Sequence, residues 1–74
     1  MVELLSILLN GRQRSLPDLS SPATLDRLIA ALELKPDRIA VEHNGEIVPR
    51  ATWPTTSIHS GDKLEIVHFV GGGA

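Results

Sequence analysis

The residues best suited to chemistry stand at the C-terminal end of the sequence, His68-Phe69-Val70-Gly71-Gly72-Gly73-Ala74. Glycine has no Cβ and almost no backbone preference, so such a run lets a chain pass through a space that side chains would block. At full extension the residues from Gly71 to Ala74 reach at most about 13–14 Å beyond a folded body. That is enough to place a terminal carboxylate inside another protein's active site. A carboxylate is a poor electrophile until its oxygen becomes a good leaving group, and adenylation by ATP achieves this. The sequence has no Gly-Lys-Ser/Thr loop to cradle phosphates, so ATP would be used by a partner activating enzyme and no cofactor would be bound permanently here. The activated carbonyl can accept sulfur and become a thiocarboxylate, or accept an amine or thiol and become a conjugate. Because the chain has no cysteine, any sulfur it carries must ride on that terminal carbon. On composition alone, a glycine-rich end is equally an unstructured terminus.

Other candidate chemistry is weaker. His43, His59 and His68 are separated by 16 and 9 residues, which matches no local metal-ligand spacing, and no cysteine accompanies them. They read as solvated or partly buried histidines, with no metal site. Glu46, Asp62 and Glu65 read as surface charges rather than an acid–base set. The 74 residues allow one small domain without a second core, which favours binding or carrying over catalysis in a deep cleft. A formal charge of -2, one Trp and one Phe supply neither the basic excess nor the stacking platform that a nucleic-acid partner needs. The opening "MVELLSILLN" is apolar, but it carries Glu3, lacks a basic front and has no cleavage pattern, so it reads as a core strand rather than a signal peptide. No membrane partner is expected, and the cytoplasm is the default location.

The elements that must position the tail follow from periodicity. Leu5, Ile7 and Leu9 alternate with Leu4, Ser6 and Leu8, and the run enters Asn10-Gly11, a strong hairpin signal. A returning strand is expected to about Leu16, ended by Pro17. In "SSPATLDRLIAALEL", residues Leu25, Leu28, Ile29 and Leu32 form one helical stripe. Thr24 is expected to cap this helix through its side chain, in preference to Ser21-Pro22, and Asp26 suits its first turn. Pro36 stops the helix nearby. Ile39, Val41 and His43 alternate with Ala40 and Glu42, Asn44-Gly45 turns, and Ile47-Val48 returns before Pro49. Residues 50–61 read as loop or a short helical turn. In the final strand Leu64 and Ile66 share one face, and Lys63, Glu65, Val67 and Phe69 share the other. A last strand lying parallel to the first in the middle of a mixed sheet, with the helix across one face, makes an α+β fold: a β-grasp, ubiquitin-like roll of about five strands. Residues 1–70 would form this domain and residues 71–74 a flexible tail.

With "ILLNGR", "TLDRLIAAL", "AVEHNGEIVPRATW" and "IHSGDKLEIVHFVGG" read in that order, the chain resembles the ThiS family of sulfur carriers from thiamin biosynthesis over almost its whole length. The resemblance implies a protein cosubstrate that is not itself an enzyme. A ThiF-like adenylating enzyme would activate the terminal glycine carboxylate. Sulfur derived from cysteine by a desulfurase would be installed as a thiocarboxylate, and a ThiG-like thiazole synthase would use it for the thiazole ring. The reactive carbon would belong to the last glycine, Gly73, with Gly71 and Gly72 as the threading neck; were the reactive position one earlier, it would be Gly72. Ala74 departs from the family pattern. Either it is removed, or it is an addition, or its own carboxylate reacts despite the methyl group. The alternative readings are a related carrier that supplies molybdopterin synthase, which shares fold, tail and activation chemistry, a ubiquitin-like modifier, and a plain interaction module without tail chemistry.

Val67 and Phe69 point away from the Leu64/Ile66 face immediately before the tail, and Leu8 is expected to adjoin them if the first and last strands pair. These three are the candidate partner-docking residues. Trp53, beside Arg50, reads as a packing lid over one end of the core.

Overall fold

The two Asn-Gly dipeptides do turn the chain. Asn10 and Gly11 have φ of 50° and 81°, and Asn44 and Gly45 have 51° and 89°, the left-handed pair that suits the twist of a tight hairpin. Around these turns a computed structural model describes residues 3–69. The strands are β1 (Leu4–Leu9), β2 (Arg12–Ser20), β3 (Ala23–Thr24), β4 (Ile39–His43), β5 (Glu46–Ile47), β6 (Ser57–Ile58) and β7 (Lys63–His68), with one α-helix, α1 (Leu25–Ala31). Five of them form a sheet in the order β2-β1-β7-β4-β5. β7 lies at the centre, parallel to β1 and antiparallel to β4. This is the mixed sheet expected from the order of the elements, with the last strand beside the first.

Alternation decides which side is buried. Leu5 and Ile7 of β1, Ile39 and Val41 of β4, and Leu64 and Ile66 of β7 join Leu25, Leu28 and Ile29 of α1 in one apolar cluster. Leu25, Leu28 and Leu64 are fully shielded from solvent. Each such side chain contributes roughly 1.5–3 kcal/mol by leaving water, and a chain without cysteine relies on that burial in place of disulfides. Trp53 closes one end of the cluster as the sequence suggests: it is buried and donates its indole N–H to the Val48 carbonyl at 3.0 Å. It sits in a 3₁₀ segment, Arg50–Thr55.

Three local expectations are corrected. Pro17 does not end the return strand, because β2 continues to Ser20. β2 is an edge strand, where a residue without an N–H costs no ladder bond. Its register jumps from Leu5↔Leu16 to Leu4↔Ser20, and the residues gained there let Leu19 turn into the core. Thr24 is the N-cap residue, yet its side chain makes no capping bond. The Arg27 N–H, which a capping oxygen would take, goes to Asp26 Oδ1 at 2.9 Å instead, and the Leu25 N–H at the first helical position donates to the Thr56 carbonyl at 2.9 Å, where Thr24 runs in a two-stranded ladder of β3 with β6 that the sequence does not announce. The helix ends one residue before Leu32, which is its C-cap. Glu33 follows with φ 58°. The Leu34 N–H reaches back to the Ile29 carbonyl and the Glu33 N–H to the Ala30 carbonyl, which makes a Schellman closure with glutamate where glycine is usual.

Candidate functional site

β7 is the element that carries the glycine run, so its surroundings define the site. Its Leu64 and Ile66 are anchored in the core while Lys63, Glu65 and Val67 face solvent. The strand is gripped from both sides. On the β4 side the ladder runs from His43↔Leu64 to Ile39↔His68, and it extends beyond the strand, with the Phe69 N–H donating to the Arg38 carbonyl at 2.9 Å. On the β1 side the parallel pairing covers only Leu8↔Lys63 and Leu9↔Leu64, since β1 turns away at Asn10.

The asparagine itself prolongs that edge. Its backbone N–H donates to the Leu64 carbonyl at 2.9 Å. Its side-chain Oδ1 accepts the Ile66 N–H at 2.7 Å, and its Nδ2 donates to the Ile66 carbonyl at 3.2 Å. The side-chain amide thus does for Ile66 what a further residue of β1 would do. Asn44 holds the other end of β7 in a similar way: its Oδ1 accepts the Lys63 N–H at 2.9 Å, and its N–H donates to the Lys63 carbonyl at 2.8 Å. The sequence marks both asparagines as turn formers and does not mark this second role. The available signal was the residue type: glycine and aspartate also form such turns, but only an amide carries both a donor and an acceptor.

The expected docking residues are exposed on the outer sheet face, though not as one patch. Val67 is 61% and Phe69 57% exposed, and they stand on the same side of neighbouring alternate positions. Leu8 shares the face, but the register sets it beside Lys63, four positions from Val67, or about 13 Å along the strand. The expectation that Leu8 adjoins Val67 and Phe69 is therefore corrected, because the parallel register pairs it with the beginning of β7 rather than its end. Nearer to Val67 is Ile47 of β5, 74% exposed. It shares a shallow groove of 230 Å³ with Ala40, Val41, Glu42, Glu65 and Val67. Glu42 and Glu65 are directly opposed across the β4–β7 ladder, so two like charges flank the apolar strip, an arrangement that is mildly unfavourable in the isolated domain.

At the beginning of β7 the histidine and acid read as independent surface groups form a pair. His43 Nε2 lies 2.7 Å from Asp62 Oδ2, and the same oxygen accepts the His59 N–H at 2.9 Å. Burial alone would raise the Asp62 carboxyl, but the His59 N–H, the side chains of His43 and Asn44 and the His43 charge outweigh it and hold the group below its ordinary value. This cluster braces the turn into β7. Among the described residues no three His, Cys, Asp or Glu side chains converge as metal ligands, and no helix is long and apolar enough to cross a membrane. Gly71, Gly72, Gly73 and Ala74 lie outside the described residues.

A fold in which the central strand leads into the glycine run invites comparison with known proteins, and the model of the ThiS family matches residues 7–73. The chain belongs to the ThiS family. The crystal structure of the thiamine biosynthesis protein ThiS from Geobacter metallireducens superimposes with a TM-score of 0.79 at 28% identity, covering 93% of this ThiS-family chain and 100% of the other. This bears out the β-grasp fold. The sulfur carrier protein ThiS of Bacillus subtilis is 38% identical over 50 residues, 68% of this chain and 76% of that one. A thiazole synthase of Paramagnetospirillum magneticum is 37% identical over 70 residues, 95% of this chain but 21% of the synthase. The chain thus spans about a fifth or less of the two thiazole synthases it matches.

Proposed function

We propose that this ThiS-family protein is a sulfur carrier of thiamin biosynthesis whose reagent is the carboxylate at the end of its glycine run. The observation that carries the reading is that the family match does not stop at the folded body: it continues through Gly73. In the proposed cycle a ThiF-like enzyme binds the carrier and ATP. An oxygen of the terminal carboxylate attacks the α-phosphorus, pyrophosphate leaves, and an acyl adenylate forms. A desulfurase takes the sulfur from cysteine as an enzyme-bound persulfide, whose outer sulfur attacks the acyl carbon and displaces AMP; a thiol reductant then cleaves the S–S bond of the resulting acyl disulfide and leaves a thiocarboxylate. The carrier contributes no acid or base; it supplies a slim acyl arm and a surface by which the enzyme holds it.

The arm is Gly71-Gly72-Gly73, with Gly73 the reacting residue. The outer face near the end of β7, Val67 and Phe69 with the neighbouring Ile47, is the proposed docking surface, and Leu8 is a separate, more distant contact on the same face. The recipient of the sulfur is a ThiG-like thiazole synthase. Supporting this, a stretch similar to this chain occurs within two thiazole synthases. A carrier segment inside the polypeptide of its consumer would meet it at an effective concentration of roughly millimolar.

Incubation with ATP and the activating enzyme tests the proposal. Pyrophosphate exchange that depends on the carrier, followed by a mass gain equal to replacing one oxygen by sulfur, is the expected result. Attachment to a lysine would identify a protein modifier instead, and the absence of exchange would remove tail chemistry altogether. A form ending at Gly73 is expected to be adenylated faster than one ending at Ala74, because a methyl at the reacting residue misaligns the carboxylate in a channel that fits glycine. Equal rates for the two forms would refute that expectation.

A further inference from the structure

We propose that Asn10 is a positioning residue for the tail, an inference that rests on the carrier reading above. Pairing on the β1 side of β7 ends at Leu64 in the backbone, whereas the strand runs on to His68. Without the Asn10 side chain, Ile66 would have ladder partners on neither of its main-chain groups facing that edge. The amide supplies both, with Oδ1 taking the N–H at 2.7 Å and Nδ2 meeting the carbonyl at 3.2 Å. Ile66 is four residues before Val70, and among the described residues this is the last bond pair on the β1 side. Beyond it, among the described residues, β7 is held by β4 alone, through Ile39↔His68 and the bond from Phe69 to Arg38. A strand held along one edge can pivot about that edge; a strand held along both cannot. Asn10 therefore limits the directions in which the tail leaves the sheet, and a reaction that needs the terminal carboxylate aligned with ATP is sensitive to that spread.

Asn44 provides a matched control within the same strand. It also pairs with β7 through its side chain and sits at positive φ before a glycine, but it acts at Lys63, the end remote from the tail. Asn10→Gly keeps the left-handed turn, since glycine accepts positive φ, and deletes both amide bonds. Asn10→Asp keeps the acceptor for the Ile66 N–H and loses the donor to its carbonyl. Asn44→Gly removes a strand contact of the same kind without touching the tail end.

The experiment measures steady-state adenylation of each variant by the activating enzyme together with amide hydrogen exchange of the free carrier. For Asn10→Gly, kcat is expected to fall roughly tenfold with KM unchanged, because alignment is lost and the docking face is not. Asn10→Asp should lie between it and the parent, and Asn44→Gly should leave kcat unaltered. In exchange, Asn10→Gly should accelerate the Ile66 and Phe69 amides roughly tenfold, whereas Asn44→Gly accelerates Lys63 and spares Phe69. The proposal is overturned if Phe69 exchange and kcat are unmoved in Asn10→Gly, or if Asn44→Gly lowers kcat as much, since either result reduces Asn10 to an ordinary turn residue. Should the parent carrier itself not be adenylated, the carrier reading fails and takes the delivery role with it, while the exchange data still decide whether Asn10 holds the strand.

Discussion

Phe69→Ala separates docking from folding more sharply than any other single change on the outer face. An aromatic side chain offers about 150–250 Å² for burial, and Phe69 is 57% exposed, so roughly 85–140 Å² remain for a partner to cover. At about 25 cal/mol per Å² this is worth some 2–3.5 kcal/mol if docking buries the ring completely. Truncation to alanine keeps the Cβ, which leaves a loss of about 1.5–3 kcal/mol, or roughly a 10- to 150-fold weaker Kd. The same change is mild for folding, because Phe69 is not part of the buried cluster. It should cost about 1–2 kcal/mol at most and leave the domain folded at the assay temperature. Titration calorimetry against the adenylating enzyme, paired with thermal unfolding of the carrier alone, reads the two effects independently. Leu8→Ala is the companion measurement: that side chain is only 37% exposed and lies toward the other end of β7, so its effect on Kd should be smaller. An unchanged Kd for Phe69→Ala accompanied by a large fall in Tm would refute the reasoning, since it would place the ring in the structural core and not at the interface.

Two further predictions concern the body of the carrier. Asp62 has a folded-state pKa below its ordinary value, so its charged form is favoured by folding; this contribution is complete above the ordinary aspartate range and is lost as pH falls through the lowered folded value. The stability difference between the parent and Asp62→Asn, measured by denaturant melts across pH, should therefore be constant near neutrality and shrink from about pH 4 downward; a difference that grows on acidification would contradict the sign. Glu33 occupies the left-handed position after α1 with φ 58°, where a Cβ is unfavourable, so Glu33→Gly should raise stability by about 0.5–1 kcal/mol in the same melts; a loss would show that the glutamate side chain makes up for its backbone strain.

Much of this architecture is written in local patterns. The alternation of Leu5 and Ile7, of Ile39 and Val41, and of Leu64 and Ile66 states which strand faces are buried, because successive side chains on a strand point to opposite sides. Leu25, Leu28 and Ile29 state the helical face by the same kind of periodicity, and the two Asn-Gly pairs state where hairpins turn. The glycine run, the lack of cysteine and the low charge are what the proposed terminal acyl chemistry is argued from. These are properties of neighbouring residues, so they can be read without knowing what lies across the sheet.

Contacts between distant segments needed the assembled structure. The β3–β6 ladder brings the Thr56 carbonyl to the first helical N–H, because residues far apart in sequence meet there, while Asp26 rather than Thr24 takes the Arg27 N–H. The edge position of β2 lets it run past Pro17, since only the sheet order reveals that the missing N–H faces no partner. The parallel register puts Leu8 by Lys63 rather than beside Val67, because alternation specifies a face and leaves the sliding of one strand along another open. The pairing of Asn10 with Ile66 and of His43 with Asp62 follows for the same reason: residue type supplies the hydrogen-bonding capacity, and tertiary structure selects the partner.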